Sequence, residues 1–500
     1  MRLVIAARKS DLARLQAYQV GAAIEEAHPQ VQVQFHFRES LGDLNQVNPL
    51  WQMPEKGVFT EDFVSGLESG EFDMVVHSWK DLPTEVRSKT FVAATMKRAD
   101  SRDVLLVRKA AFNESRSLFR VLSSSPRRSY FLQKAWTRLA PKGTPGLEFH
   151  SVRGNIPTRL LKLHEGQGEA LLVAKAALDR LLSSEQLEFL EARQGLRKVL
   201  NDCNFMVIPW QIQPPAPAQG ALAIEIRKDR NDVHQLLQAI HCPDTFAAAQ
   251  WERSQLAAFG GGCHLKLGAL QMKTQGQTIQ IVMGAPPQDE PVEKMWLEKS
   301  SMKSLLKALV DQHHLAAFRT EEFFDVQESS SPSSATAFFV SHKRAWSERF
   351  REQAQLIWTS GLATWETLAE KGVWVNGSAE GWGESRPNVD ELAGQKVSWA
   401  KLSHDLAPED AISKVTTYRL VPRTTLEPAT FAKLKTATHF FWHSGTLFDS
   451  AVNWAPEIKH KHHSSGLGAT RAHLASTLGE PGNDQIFLGE HDWRSFYELK

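Results

Sequence analysis

Short β-rich runs alternate with helical patterns along the first two hundred residues, and this alternation restricts the chain to an α/β architecture. Leu3–Ala7, Val31–Phe37, Met74–Val76, Val104–Val107 and Ala170–Val173 are the apolar or β-rich runs. After Arg8, Ser10 or Asp11 is placed to cap a helix whose apolar side includes Leu12, Leu15, Val20 and Ile24. The pattern predicts largely parallel sheets. No repeat of solenoid type is evident.

Polar residues gather where these strands end. Arg8 and Lys9 follow the first run; His77, Ser78, Lys80 and Asp81 follow Met74–Val76. Ser123-Ser124-Ser125-Pro126-Arg127-Arg128 follows a run through Val121, and Arg153 follows another from Leu147. Open α/β sheets bind ligands at the carboxyl ends of their strands. Several such ends offering cations point to one anionic ligand. Ser125 suits an N-cap and Pro126 the first helical position. The N–H groups of that helix start favour an anion, and two arginines add fork-shaped donors that match carboxylates. The plainer alternative for this segment is a solvated helix start. Asp81 precedes Leu82-Pro83, so the strand leaves directly into a turn. It is either a turn former or a carboxylate placed beside a developing cation.

Phe259-Gly260-Gly261-Gly262-Cys263-His264 strips side chains from around one thiol. Glycine tolerates positive φ and close approach, so a sulfur there has room for a bulky attached group. A structural cysteine needs no such clearance.

Composition narrows the class. At roughly 100–200 residues per domain, a 500-residue chain holds three or more. A formal net charge of +1, from 58 Lys+Arg against 57 Asp+Glu, argues against a general nucleic-acid binder. No run of about 18 apolar residues predicts a membrane span. The apolar part of Met1–Ser10 is too short for a signal peptide. Three cysteines, Cys203, Cys242 and Cys263, with no close pair fit a reducing cytosol and neither a disulfide framework nor a zinc ribbon. The expectation is a cytoplasmic monomer without nucleic acid, membrane or metal. His460, His462 and His463 read as a solvated basic strand end, because no cysteine or carboxylate cluster accompanies them. The scattered tryptophans read as core.

Six segments occur in order: Ala6-Ala7-Arg8-Lys9-Ser10, Val75 to Pro83, Ser124 to Arg128, Arg153-Gly154-Asn155-Ile156-Pro157-Thr158-Arg159-Leu160, Gln219-Gly220-Ala221-Leu222 and Gly261-Gly262-Cys263. Together they closely resemble the hydroxymethylbilane synthase (porphobilinogen deaminase) family over roughly the first 320 residues. The resemblance implies a transferase of tetrapyrrole (haem) biosynthesis that condenses four porphobilinogen molecules into linear hydroxymethylbilane and releases ammonia. It implies a dipyrromethane cofactor attached covalently through Cys263, with porphobilinogen and the growing polypyrrole chain as partners. Asp81 matches the catalytic aspartate, set beside an electron-poor azafulvene that the free α-carbon of the terminal pyrrole attacks. Lys80, Ser124, Arg127 and Arg128 match cofactor-carboxylate contacts. Arg8, Ser78, Arg153, Arg159 and Arg180 match substrate or chain contacts. Asp43 and Lys56 lie in Leu41–Phe59, which resembles the family's active-site loop. The chain departs from the family at Leu41 (commonly Arg), Glu61 (frequently Lys), Leu122 and Ala218 (usually Gly), and Pro126. A bilobal binding module for an anionic small molecule, without catalysis, would use the same arginines and need no covalent group.

The resemblance further implies two doubly wound lobes like those of periplasmic binding proteins. Lobe 1 takes 1–98 and 200–228, lobe 2 takes 99–199, and a small α+β cofactor-attachment domain takes 229–322. The serine- and proline-rich stretch within 323–335 reads as a linker. Residues 336–500 then form a further α/β domain that loosely resembles uroporphyrinogen-III synthase, although short for that two-lobed family. The carrying pieces are Thr364–Gly372, Val415 to Arg419, Phe441-Trp442-His443-Ser444 and Gly466-Leu467-Gly468-Ala469-Thr470. This implies Tyr418, Ser444 and Thr470 as substrate contacts, in either an active cyclising domain or a scaffold.

Overall fold

The computed structural model describes residues 1–39, 61–262, 265–285, 290–298, 314–329, 331–409, 411–479 and 485–497. The chain begins with β1 (Arg2–Arg8), α1 (Asp11–Ala27), β2 (Gln32–Arg38), α2 (Glu61–Ser69), β3 (Met74–Ser78) and β4 (Thr90–Ala94). Strand β1 lies between β2 and β3 and runs parallel to both. Half of the apolar stripe read from α1 covers this sheet: Val20 and Ile24, with Ala17, are fully buried against Leu3, Ile5 and Ala7, whereas Leu12 and Leu15 pack with the core of the second lobe.

The chain then crosses to a second lobe made of β5 (Asp103–Arg108), β6 (Leu118–Leu122), α3 (Pro126–Leu139), β7 (Gly146–His150), α4 (Ile156–His164), β8 (Ala170–Ala174), α5 (Lys175–Leu182), α6 (Leu190–Asn201) and β9 (Cys203–Val207). Its sheet has the order β7-β6-β8-β5-β9. A second crossing, 208–221, returns to β10 (Leu222–Arg227), which completes the first sheet as β2-β1-β3-β10-β4.

Both sheets are mixed rather than largely parallel. Strand β10 is antiparallel to β3 and β4, and β5 is antiparallel to β8 and β9. The reason is topological: each is delivered by a crossing between lobes, not by a helix returning over its own sheet. Two expected boundaries also move. Strand β9 pairs inside the second lobe, so the return begins after Val207 and not at 200. Helix α7 (Asn231–Leu237) buries Val233 and Leu237 in the first-lobe core, so the third domain starts at α8 (Pro243–Ala258) and not at 229. That domain continues as the antiparallel strands β11 (Lys266–Thr274), β12 (Gln277–Ala285) and β13 (Val292–Leu297).

The tail contains β14 (Leu315–Ala317), α9 (Thr320–Phe323), β15 (Phe324–Glu328), β16 (Ala337–Val340), β17 (Leu356–Thr359), α10 (Leu362–Glu370), β18 (Gly377–Ser378), α11 (Asp390–Ala393), β19 (Trp399–His404) and β20 (Ser413–Pro422). After these come α12 (Pro428–Thr436), β21 (His439–Trp442), α13 (Gly445–Trp454), β22 (His462–Ser465), α14 (Ala469–Leu478) and α15 (Glu490–Tyr497). Two sheets result, β15-β20-β19-β16-β17-β18 and β14-β21-β22. Because β14 pairs with β21 and β15 with β20, residues 315–328 belong to the tail, upstream of the expected start at 336. The antiparallel pair β15/β20 carries the chain into and out of the larger sheet, so the tail is itself two-lobed. The histidine reading also changes. His463 is buried at 3% exposure, accepts the Trp442 indole N–H at Nδ1 (2.9 Å) and donates from Nε2 to Ile458 O (2.8 Å). It is a satisfied core histidine.

Candidate active site

Strand β3 passes into a single 3-10 turn, Trp79–Asp81, with Trp79 buried. Leu82, restricted by Pro83, is extended and stops the turn there. Asp81 is thereby held half-buried at the carboxyl end of β3. Its neighbour Ser78 is fixed by α1, accepting from Gln16 Nε2 at 2.9 Å. Burial pulls the Lys80 ammonium below its ordinary pKa, with the Asp81 charge opposing. Lys80 Nζ donates to Gln219 Oε1 at 3.4 Å.

The cap predicted at Ser125 forms, its side chain accepting from Arg128 N–H at 3.4 Å, and Pro126 opens α3. Arg127 and Arg128 are thus in the first turn, but they point inward, with 4% and 8% exposure. Both meet Asp103, fully buried at the start of β5. The Asp103 carboxylate accepts from Arg127 Nη2 (2.6 Å), Arg128 Nε (2.9 Å) and Nη2 (2.7 Å), Gln213 Nε2 (2.8 Å) and Gln219 Nε2 (3.0 Å). Burial alone would push this carboxyl up; the two guanidiniums reverse that and hold it well below the usual carboxylate range.

Further cations stand around this pair. Burial, with Arg128 and Arg153 adding repulsion, lowers Arg159 to about 10. Arg159 Nε donates to Gly154 O at 2.8 Å. Burial likewise lowers Arg180 to about 10. Its Nη2 donates to Gly220 O at 2.9 Å, while its buried Nε has no hydrogen-bond partner among the described residues. Arg8 ends β1 and is half-buried. Ser124 accepts Val152 N–H at 2.9 Å and donates back to Val152 O, so its hydroxyl anchors the segment before Arg153. Lys80, Arg127, Arg128, Arg153 and Arg159 therefore interact in one neighbourhood with the carboxylates Asp81 and Asp103. That surplus of positive charge is what a polyacid ligand requires.

Cys263 and His264 lie outside the described residues, as do Leu41, Asp43 and Lys56. The three glycines before the cysteine have φ of 94°, 68° and 110°, so this backbone requires them. A Cβ on Gly260 would meet nothing within 4 Å, whereas one on Gly261 would come within 3.0 Å of Thr84 Oγ1. Arg253 of α8 donates to Trp79 O (3.1 Å) and to Pro83 O. The glycine loop thus leans on the turn that carries Asp81. Open space at Gly260, glycines at each step and the excess of cations over carboxylates around Asp81 fit a dipyrromethane held on Cys263.

Sequence reasoning missed Asp103 and Glu252. Glu252, fully buried on α8, accepts from Arg98 Nη1 (2.5 Å) and Nη2 (2.9 Å), Ala218 N–H (2.7 Å) and Gln271 N–H (2.9 Å). It joins both interlobe crossings to the third domain. The signal was the charge alternation Arg98-Ala99-Asp100-Ser101-Arg102-Asp103 running into an apolar strand.

In the tail, Ser444 and Thr470 meet at the end of β21. Ser444 caps α13, accepting Leu447 N–H at 3.2 Å, and Thr470 Oγ1 donates to His443 O at 3.2 Å. Tyr418 is elsewhere, buried on β20 with its hydroxyl pushed up to about 12 by burial. A cavity of about 580 Å³ lined by Phe324, Pro422, Arg423, Thr446, Asp449 and Trp454 includes none of the three.

Residues 3–235 match the family model for porphobilinogen deaminase, dipyromethane cofactor binding domain. The porphobilinogen deaminase of Syntrophomonas wolfei subsp. wolfei is 32% identical over 275 residues, spanning 55% of this chain and 82% of the relative. That of Trichlorobacter lovleyi is 34% identical over 281 residues, 56% of this chain and 82% of the relative. That of Acidothermus cellulolyticus is 36% identical over 285 residues, 56% of this chain and 77% of the relative. The similarity extends over most of each relative's length, and the chain belongs to the porphobilinogen deaminase family.

Proposed function

We propose that the two lobes and the third domain form a hydroxymethylbilane synthase, a transferase that condenses four porphobilinogen molecules into linear hydroxymethylbilane with release of ammonia. The observation that carries this reading is the excess of cations around Asp81, two of them buried and the others half-buried, beside a glycine loop leading to Cys263. Dipyrromethane, when bound through a thioether to Cys263, supplies the terminal pyrrole from which the chain is extended. Lys80, Arg127 and Arg128 neutralise its acetate and propionate groups, while Ser124 holds the loop beside them. Arg8, Ser78, Arg153, Arg159 and Arg180 receive the incoming substrate and the lengthening chain, each ring of which adds two carboxylates. With pKa values near 10, Arg159 and Arg180 keep their charge at neutral pH. The Asp81 carboxylate stabilises the positive charge that develops as ammonia leaves. It does so from a position fixed beforehand by the 3-10 turn.

The same reading places a monomeric enzyme in the cytoplasm, supported by three cysteines with no close pair. No described helix is long and apolar enough to cross a membrane. A second activity, cyclisation to uroporphyrinogen III, is favoured by the two-lobed tail and its cavity between β15, β20 and α13. Among the described residues, Arg423 is the one cation of that lining; it pairs with Asp325 at 3.3 Å, and Asp449 is the lining's carboxylate.

Incubation with porphobilinogen tests both steps. Hydroxymethylbilane and ammonia are expected, and Asp81→Asn is expected to keep the fold and lose most turnover. A near-normal rate for that variant removes Asp81 from the chemistry. Intact mass of Cys263→Ala should show no attached pyrrole; a retained adduct overturns the anchor. The III isomer in the product marks two activities, the I isomer the first alone.

A further inference from the structure

We infer that Asp103 is a positioning residue of the anion site: it presets the two guanidiniums of α3 and, through Gln219, the Lys80 ammonium. The inference rests on reading that site as a cradle for the cofactor's carboxylates. One carboxylate accepts five hydrogen bonds from Arg127, Arg128, Gln213 and Gln219, and it is fully buried. Gln219 carries the connection on, since its Oε1 accepts Lys80 Nζ at 3.4 Å. The chain of contacts therefore runs from the second lobe's first strand, through the return crossing, to the residue beside Asp81.

The stoichiometry separates positioning from simple stabilisation. Glu252 pairs with one guanidinium, that of Arg98, so its charge is matched. Asp103 faces two and leaves one positive charge over. Without it, two adjacent buried guanidiniums would repel each other with no counter-charge. A second carboxylate there would cancel the surplus charge of this pair and leave Lys80, Arg153 and Arg159 as the site's remaining cations. The geometry agrees. Arg128 pairs side-on through Nε and Nη2, while its Nη1 has only a long 3.4 Å approach to Leu172 O. Its inner edge is fixed and its remaining nitrogen is the one least committed.

The test is Asp103→Asn in the full chain, supplied with porphobilinogen. Cofactor occupancy is read by intact mass, KM and kcat on the loaded fraction, and folding by thermal melting. Occupancy is expected to fall about tenfold or more, and KM of the loaded fraction to rise by a similar factor, as for loss of a hydrogen bond to a charged group. The kcat per loaded site should stay within a few-fold, because Asp81 is untouched. Asp103→Glu, which keeps the charge, should recover occupancy but retain a raised KM. A folded Asn variant with full occupancy and unchanged KM overturns the inference. If the Asn variant does not fold, a Glu variant with unchanged KM overturns it instead. Wild-type protein that never acquires a pyrrole on incubation would overturn the reading of the site itself, a result distinguishable from both.

Discussion

Ala218 stands where the resembling family usually has glycine, and its φ of 63° shows why glycine is usual there. An L-residue in left-handed backbone costs roughly 1–2 kcal/mol. Two terms offset this. Glycine would lose more chain entropy on folding, roughly 0.5–1 kcal/mol. The Ala218 methyl is also fully buried beside Trp79, Ala221 and Ala249, which contributes about 0.8 kcal/mol. The terms nearly cancel, so the departure is tolerated. Ala218→Gly is expected to change unfolding free energy by less than about 1 kcal/mol in urea titration. Ala218→Val, with a branched Cβ in the same backbone and no free space, should destabilise by more than about 2 kcal/mol. If both variants behave alike, the backbone at 218 relaxes and the left-handed argument fails.

At the scale of elements, the strand that enters the first lobe last is the one that locks it. Glu225 on β10 accepts from Arg87 Nη1 (2.8 Å to each oxygen) and Thr90 Oγ1 (2.6 Å), and its Oε2 lies 3.2 Å from His77 Nε2. It therefore clamps β3 and β4 beneath the Asp81 turn. Burial would raise its pKa, but the hydrogen bond with His77, and then Arg87 and Thr90, bring it down to about 2 from 4.5. A lowered folded-state pKa means the stabilisation is present above pH 4.5 and is lost as pH falls toward 2. At 1.36 kcal/mol per pH unit, this amounts to about 3 kcal/mol. Glu225→Gln should be less stable than wild type by about that much at pH 7, with the gap closing below pH 4.5. A gap that stays constant with pH would mean the carboxylate charge is not what holds the strands. Such a clamp was not legible in the sequence, because Glu225 is 148 residues from His77. What was legible was local: the cap of α3, the turn after β3, the stripe of α1 and the glycines at 260–262. Each depends on one backbone angle or a spacing of three or four residues. Asp103 and the antiparallel entries of β5 and β10 depend on which segments meet after each crossing. Strand β14, three residues long, is too short to show any periodicity.

Across the whole molecule, the tail is fastened to the two crossings between the catalytic lobes. Strand β9 is an edge of the second-lobe sheet and β18 an edge of the larger tail sheet. The residues leading into β18 meet β9: Val207 N–H donates to Asn376 O (2.8 Å), while Trp374 Nε1 and Asn376 Nδ2 both donate to Phe205 O (2.9 Å). The edge of β9 is thereby covered there. Next to this seam, the tail grips both interlobe crossings. Arg102 lies 4.7 Å over the Trp210 ring and donates to Ser378 O at 3.5 Å. Trp210 stacks on Trp382 with centroids 5.9 Å apart. Glu380 accepts Gln211 N–H at 2.9 Å, while its buried Oε1 has no hydrogen-bond partner among the described residues. Burial pushes this carboxyl up to about 7 from 4.5, with Arg102 only partly opposing. A raised folded-state pKa reverses the sign found for Glu225. The contribution is full below pH 4.5 and is lost as pH rises through 7, again about 3 kcal/mol in all. Glu380→Gln keeps the acceptor for Gln211 and cannot ionise. It should match wild type near pH 4.5 and exceed it by up to about 3 kcal/mol at pH 8. Thermal melting of both proteins at pH 5 and pH 8 decides this, since the wild type must lose more than the variant between the two. Equal losses would mean that Glu380 is already charged against Arg102 and that the seam is insensitive to it. The same crossings carry Asp103 and Gln219, so loosening the seam at high pH should also raise KM for porphobilinogen in wild type more than in the variant.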